Sequence, residues 1–370
     1  MDITQYLLGS NDNNYQSLLP FSYMVPTFYP VPPGDAQPQG GAPLIALDDE
    51  DLQARAQRLV NVLYWTATTY KDADGMSDSQ TLKVFIAPEF YFRKASDAEA
   101  VSGQFTRNTS FGSYPEDVRY QLAEALYDAI QTTPLFKDWV IVAGTVCSVL
   151  PEYADRLNLL NTAIMLRGQR SAPDASVPYV LMEKHYISHI DGPPQDWHAN
   201  IDPTTVYSFT LNPDQELDNL IYWNRMMLGL EVCLDHSRQV VRNAVNQLRA
   251  TLGPNMQPLN LQLVTSCGMS IVNQALAVED GALVMLTDGY CAADDGLREP
   301  IFQLGRYDAT AGAVTLVGPG NLQFQELPKI PSYQVHYAQG LYEHLGRRQG
   351  VWASTSKLPL RLVQVNRCAN

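Results

Sequence analysis

"LGLEVCLDHSR", residues 228–238, runs from an apolar, strand-like stretch straight into charged residues, with one cysteine at the changeover. Core packing is the ordinary reading of such a residue, because free cysteine is among the most buried residue types. Two further apolar runs end in the same abrupt way. "VFIAP" (84–88) closes on Glu89, and "YVLME" (179–183) closes on Lys184. Ligands of open α/β sheets bind in the crevice beyond the carboxyl ends of the strands. Three ionisable residues at three strand ends can therefore meet in one pocket.

Around these stretches the pattern is a mixed α/β alternation. "DDEDLQARAQRLVNVLYWTATTY" places Leu52, Ala56, Leu59, Val60, Leu63 and Ala67 on one face after an acidic first turn, which predicts an amphipathic helix. "LKVFIAPEF" predicts a buried strand. "SYPEDVRYQLAEALYDAI" predicts a second helix opened by a Ser113/Glu116 capping box. "DWVIVAGTVCSV", "NTAIML" and "VPYVLMEKHYI" predict a hairpin or meander. "RMMLGLEVC" predicts a strand, followed by a helix carrying Val241, Ala244, Val245 and Leu248. "LNLQLVTS", "ALVMLTD", "IFQLGRY", "AVTLVG", "LQFQEL" and "LPLRLVQV" predict the remaining strands. Residues 1–43, rich in Pro, Gly, Asn and Tyr, predict an arm or lid around at most one short strand at about Tyr23 to Phe28. No linker divides residues 44–370, which form a single domain with a β-rich C-terminal extension.

Composition narrows the function. Lys and Arg number 25 against 39 Asp and Glu, a net charge of −14, which disfavours nucleic acid or an anionic membrane as the main partner. The opening "MDITQYLLGSNDNNY" has no basic region followed by a long apolar one, and no run of eighteen apolar residues occurs, so a cytoplasmic protein is expected. The five cysteines (147, 233, 267, 291 and 368) are odd in number, widely spaced and free of CxxC, which predicts reduced thiols. "DADGMSDSQ" (72–80) lacks the alternating ligands and distal Glu of a calcium loop, and reads as a solvated loop. His185, His189 and His198, with Asp191 and Asp196, match no zinc spacing, and a pocket-lining loop is expected there. No GxSxG, Walker A or GxGxxG spacing is present.

The chemistry of the three strand-end residues is complementary. A thiol is only slightly ionised at neutral pH, and a carboxylate within reach, Glu89, can take its proton. Attack on an amide or nitrile carbon throws negative charge onto oxygen or nitrogen. The Lys184 ammonium and the backbone N–H of Leu234 can stabilise it, and a helix starting behind Cys233 would add positive potential. Phe90, Tyr91 and Phe92 can wall the pocket or pack in the core.

The order Glu, Lys, Cys, with "APEFYF" around the glutamate and "GLEVCLD" around the cysteine, resembles the carbon–nitrogen hydrolase (nitrilase) superfamily over about residues 44–290. "VAGTV" and "LNTAIML" are similar to that family's segments as well. The resemblance implies a four-layer αββα sandwich that assembles as a homodimer or larger homo-oligomer. It also implies Glu89 as general base, Lys184 as oxyanion-stabilising cation, Cys233 as acylated nucleophile, and no metal or organic cofactor. A second acidic residue falls at Asp191, with Asp196 the other candidate. Departures are Ser237 where the family usually has arginine, with Arg238 one place later, and insertions at about 93–113 and 190–220. Leu234 in place of a tryptophan favours an amide over a nitrile as the small-molecule substrate. Acyl transfer to an acceptor other than water, cyclisation, or a catalytically silent scaffold of the same fold are the alternatives.

Overall fold

The computed structural model describes residues 15–27, 34–94, 113–153, 156–169, 179–186, 188, 190–191, 206–209, 217–223, 226–290, 301–335 and 349–361. Chain order opens with β1 (Ser17–Met24), helix α1 (Glu50–Thr69), β2 (Thr81–Ile86), β3 (Tyr114–Pro115), helix α2 (Val118–Gln131), β4 (Trp139–Tyr153), β5 (Arg156–Arg167), β6 (Tyr179–Glu183) and β7 (Val206–Phe209). It continues with β8 (Leu220–Trp223), β9 (Met226–Val232), a single turn α3 (Leu234–Ser237), helix α4 (Val240–Leu252), β10 (Leu259–Ser266), β11 (Leu283–Asp288), β12 (Ile301–Asp308) and β13 (Ala313–Leu316). It closes with β14 (Leu322–Glu326), β15 (Gly350–Ser354) and β16 (Leu358–Pro359).

Among the described residues the strands form two sheets. One runs β14-β15-β1-β2-β4-β5-β6, with β16, β3 and β7 attached to β1, β4 and β5. The other runs β13-β12-β11-β10-β9-β8. Strands β1, β2 and β4 are mutually parallel, as are β9, β10 and β11. The expected meander is present, since β5 pairs antiparallel with both β4 and β6.

Alternation along each strand sorts the side chains between two faces. Leu82, Val84, Ile86, Val140 and Val142 of the first sheet meet Leu228, Leu230, Val232, Leu261, Leu263 and Met285 of the second in a core between the sheets. The opposite face of the first sheet, with Phe21, Phe85 and Ile141, packs on Leu59, Val60 and Leu63 of α1 and Leu122 and Leu126 of α2. On the far side, Val241, Ala244, Val245 and Leu248 of α4 cover Met227, Leu259 and Val284. Helix, sheet, sheet, helix is the four-layer αββα sandwich that the family resemblance implies.

Three local expectations are corrected. The N-terminal region supplies β1, a wholly buried strand between β15 and β2, instead of a peripheral strand at about Tyr23 to Phe28; Phe28 lies outside the described residues. Pro20 is tolerated there because it falls between the residues paired to β16 and those paired to β15. Ser113 does not cap α2. The helix begins after Asp117, and Tyr114 and Pro115 pair with β4 instead. The helix expected just after Cys233 is there but lasts one turn, α3, and Gln239, at φ 62°, breaks the chain before α4. By contrast, α1 is capped as its acidic start predicts, with Asp49 accepting from the Leu52 N–H.

Candidate active site

The carboxyl ends of β2, β6 and β9 bring Glu89, Lys184 and Cys233 together. Glu89 is held by main-chain bonds on both sides of the crevice. Its N–H donates to Ser266 O at the end of β10, and the next N–H, of Phe90, donates to Thr145 Oγ1 at 2.8 Å. Gly144, at φ 83°, lets β4 pass beneath this corner, since a Cβ there would lie 2.4 Å from Pro88 O. The neighbouring Thr265 ties the two sheets. Its carbonyl accepts from Cys233 N at 2.9 Å and its hydroxyl donates to Ala87 O at 2.9 Å. The end of β10 thus sets both the glutamate and the cysteine.

Cys233 takes φ 49°, ψ −107°, and Phe90, behind Glu89, takes φ 63°. Both lie where a side chain is strained, at a cost on the order of 1–3 kcal/mol each that the surrounding packing must sustain. A buried network underpins the cysteine turn. Glu231 accepts from Val241 N (2.9 Å) and Gln262 Nε2 (2.8 Å) and pairs with His236 Nδ1 at 2.5 Å. Because His236 Nε2 accepts from Val272 N–H at 2.9 Å, the ring carries its proton on Nδ1.

The Lys184 ammonium sits 2.8 Å from Glu89 Oε1 and 2.6 Å from Asp191 Oδ2, with 3 % of its side chain exposed. Asp191 also accepts from Ser188 N and Oγ. Asn161 Nδ2 bridges the two carboxylates, at 2.9 Å from Glu89 Oε1 and 2.8 Å from Asp191 Oδ1. Burial pushes the Glu89 carboxyl up to about 7, against the pull of Lys184. Burial opposes charge on Lys184 as well, yet Glu89 and Asp191 together hold its pKa well above the usual lysine range. Asp191 is also opposed by burial but kept low by Lys184 and Ser188. The Cys233 thiol is pushed well up by burial and by the Glu89 charge. Its Sγ–H points at Cys267 O, 3.9 Å away, and it also interacts with the Glu89 carboxyl. The arrangement is a thiol beside a carboxylate poised near neutrality and a permanent cation.

The other sequence candidates divide. Leu234 opens α3, so its N–H lies immediately beyond the thiol-bearing residue. Phe90 is buried with Cys147 and Cys267, and its ring centre is 5.8 Å from Lys184 Nζ. Tyr91 turns the other way, into the helix-covered core, where it donates to Arg55 O and packs on Tyr23. Successive side chains diverge, and Tyr91 is not a pocket residue. His185 is bonded to a residue outside the triad. Its Nε2 meets Asn219 Oδ1 at 2.7 Å, and it lines, together with Lys184, a cleft of about 390 Å³ that also includes Arg119, Tyr179, Glu183 and Asp218. Asp196, His189, His198, Cys291 and Cys368 lie outside the described residues, as does most of the two expected insertions. Cys147, Cys233 and Cys267 are free thiols, and no group of three potential metal ligands occurs among the described residues.

Sequence reasoning missed three contributors. Asn161 was visible as an amide inside the apolar run "NTAIML", the one signal that pointed to it. Asp235 accepts from the backbone N–H groups of His185 (3.1 and 3.0 Å) and Tyr186 (2.8 Å), fastening the lysine-bearing loop to the cysteine turn. Burial raises its carboxyl to about 8 against those donors. Thr265 gave no signal, because its role is contact between sheets.

No protein-family model matches the chain, and no curated protein matches it in sequence. Among solved structures it is similar to an amidase from Nesterenkonia sp., at 14 % identity and a TM-score of 0.40, covering 98 % of this chain and 95 % of that one. A variant of the Nesterenkonia AN1 amidase from the nitrilase superfamily matches at 14 % identity and 0.38, covering 94 % and 92 %. A glutamine-dependent NAD+ synthetase from Acinetobacter baumannii matches at 11 % and 0.36, covering 80 % of this chain and 47 % of the other. The superfamily of the second is the one that the Glu89, Lys184 and Cys233 motifs resemble. Identities and scores this low carry no chemistry across, and the layer order above stands on this chain's own packing. No helix among the described residues is long and apolar enough to cross a membrane.

Proposed function

We propose that the protein is a nitrilase-like hydrolase of a non-peptide C–N bond in a small molecule, amide rather than nitrile, acting through a thioester on Cys233. The observation that carries this reading is the meeting of Glu89, Lys184 and Cys233 at three strand ends, with Lys184 Nζ 2.8 Å from Glu89 Oε1. Glu89 takes the thiol proton as sulfur attacks the amide carbon. The developing oxyanion is met by the Lys184 ammonium and the Leu234 N–H. The C–N bond breaks as Glu89 returns the proton to nitrogen, releasing ammonia or an amine. Water, deprotonated by Glu89, then attacks the thioester; the C–S bond breaks, the thiol regains its proton and the carboxylic acid leaves.

The site electrostatics suit this cycle. A carboxyl near 7 accepts and releases a proton at neutral pH, whereas an exposed glutamate would hold it too weakly. Asp191, kept ionised, holds Lys184 charged without competing for the thiol proton. No metal or organic cofactor enters the cycle, and the chain acts as a cytoplasmic homo-oligomer.

The test is intact-mass spectrometry of the protein exposed to a panel of amides and nitriles, with ammonia release followed in parallel. An acyl adduct on wild type that is missing from Cys233→Ala is the expected result. No adduct and no ammonia with any substrate would sink the hydrolase reading.

A further inference from the structure

Arg93 is 7 % exposed and its guanidinium lies over the Phe90 ring beside the proposed site, yet among the described residues it is almost unbonded. A guanidinium has five N–H donors. Arg93 uses Nη1 on Ile190 O, at 2.8 Å, and forms no other hydrogen bond and no ion pair among the described residues. Its Cζ lies 4.8 Å from the centre of the Phe90 ring, the same ring that Lys184 Nζ approaches at 5.8 Å. The acceptor, Ile190 O, is on the turn whose next residue, Asp191, contacts Lys184. Phe90 also packs on Cys147 and Cys267, whose carbonyl faces the Cys233 thiol.

Other buried arginines of the chain are treated differently. Arg55 pairs with Asp51 through Nε and Nη2, and Arg58 donates to five carbonyls. A buried cation left with one neutral acceptor and an aromatic face carries an unmet desolvation cost. Among the described residues, Glu89, four positions before it, and Asp191, next to its acceptor Ile190, are already engaged with Lys184. What the free edge of a guanidinium recognises best is a carboxylate, in a forked, charge-assisted pair.

We propose that the substrate is an amide bearing a carboxylate, which Arg93 binds while the scissile amide lies at Cys233; this rests on the hydrolase reading above. Phe90 separates the two ends. The guanidinium lies over its ring at 4.8 Å and the Lys184 ammonium over the same ring at 5.8 Å. A neutral amide would leave the Arg93 donors unmet, so the site discriminates by what it leaves unpaired. The carboxylate can be on the acyl part or on the amine part of the amide, and the two are separable by experiment.

The experiment compares succinamate with butyramide, for an acyl-side carboxylate, and N-acetylglycine with N-propylacetamide, for an amine-side one, on wild type, Arg93→Gln and Arg93→Lys. In at least one pair, wild type should favour the acid in kcat/KM by about 10- to 100-fold, the range of a hydrogen bond to a charged group. Arg93→Gln should collapse that ratio, and Arg93→Lys should restore part of it. Both substrates of a pair are read on one preparation, so a partly unfolded variant leaves the ratio meaningful. Equal kcat/KM for acids and neutral amides, unchanged by Arg93→Gln, would overturn the proposal and leave the hydrolase reading standing. Calorimetric titration of Cys233→Ala with the same compounds separates the reverse case. Tighter binding of the acids that Arg93→Gln removes, in a protein that hydrolyses no amide, would keep the carboxylate site and reject the hydrolase.

Discussion

Arg58, on α1, is fully buried and donates to the carbonyls of Gly34, Asp35, Ala54, Pro331 and Gln334, so that helix, N-terminal segment and C-terminal segment are joined through one guanidinium. The charges at the strand ends are as deeply buried but less completely bonded. Among the described residues, Glu89 Oε2 and Asn161 Oδ1 are enclosed without a nitrogen or oxygen partner, and Arg93 has one hydrogen bond. Buried polar groups are normally satisfied, and each that is not calls for a reason. Around Arg58 full bonding serves cohesion. Around Glu89, bonding capacity is left over for a reacting group.

That contrast can be broken in four places. Cys233→Ala should abolish the acyl adduct and lower turnover by at least about 10⁴-fold, while the thermal midpoint stays within a few degrees, because a buried thiol contributes little packing beyond a methyl. A variant that still forms the adduct would move the nucleophile elsewhere. Glu89→Gln should cost about 10²- to 10⁴-fold in kcat, the span of general base catalysis, read by steady-state ammonia release. On the other side of the comparison, Arg58→Met should lower unfolding free energy by at least about 3 kcal/mol in denaturant titration, because it leaves several buried carbonyls without donors. Turnover per folded molecule should not change. If Arg58→Met instead lowers kcat with stability intact, the division between cohesion and chemistry fails.

The fourth test concerns pH. The Glu89 carboxyl, raised by burial to about 7, acts as a base only when ionised. The kcat/KM profile should therefore fall below about pH 7 with a slope of one proton and hold above it until another group titrates. Asn161→Leu removes an N–H donor from the ionised form, which raises the glutamate further. The acid limb should move to higher pH, and activity at pH 7 should drop about tenfold. A limb that stays near 4 in both proteins would mean that the catalytic carboxylate is solvated.

Much of this architecture was legible in the chain itself. The faces of α1 and α4, the meander β4–β5–β6 and the strands ending at Glu89 and Cys233 follow from hydrophobic period, because burial of a face must repeat with the geometry of helix or strand. Where the reading failed, a non-local partner decided. "SLLPFSYM" looked peripheral beside a Pro-rich stretch, yet β15, β16 and β2 flank it and bury it throughout. Ser113 had the spacing of a cap, but pairing of Tyr114 and Pro115 with β4 took that segment first. Tyr91 could not be separated from Phe90 by composition, since opposite side-chain directions follow from the turn at φ 63°.

The sequence by itself determined the residue types of the candidate site and the strand ends on which they stand, because an apolar run that stops at a single ionisable residue is a local pattern. Tertiary structure alone decided how Asn161 joins Glu89 to Asp191, how Asp235 fastens the lysine loop, how Thr265 ties two sheets at the cysteine, and that Arg93 is buried without an ion-pair partner among the described residues. Each depends on groups far apart in the chain meeting at hydrogen-bond distance. Burial then sets the charge of Glu89, and burial is a property of the packed sandwich.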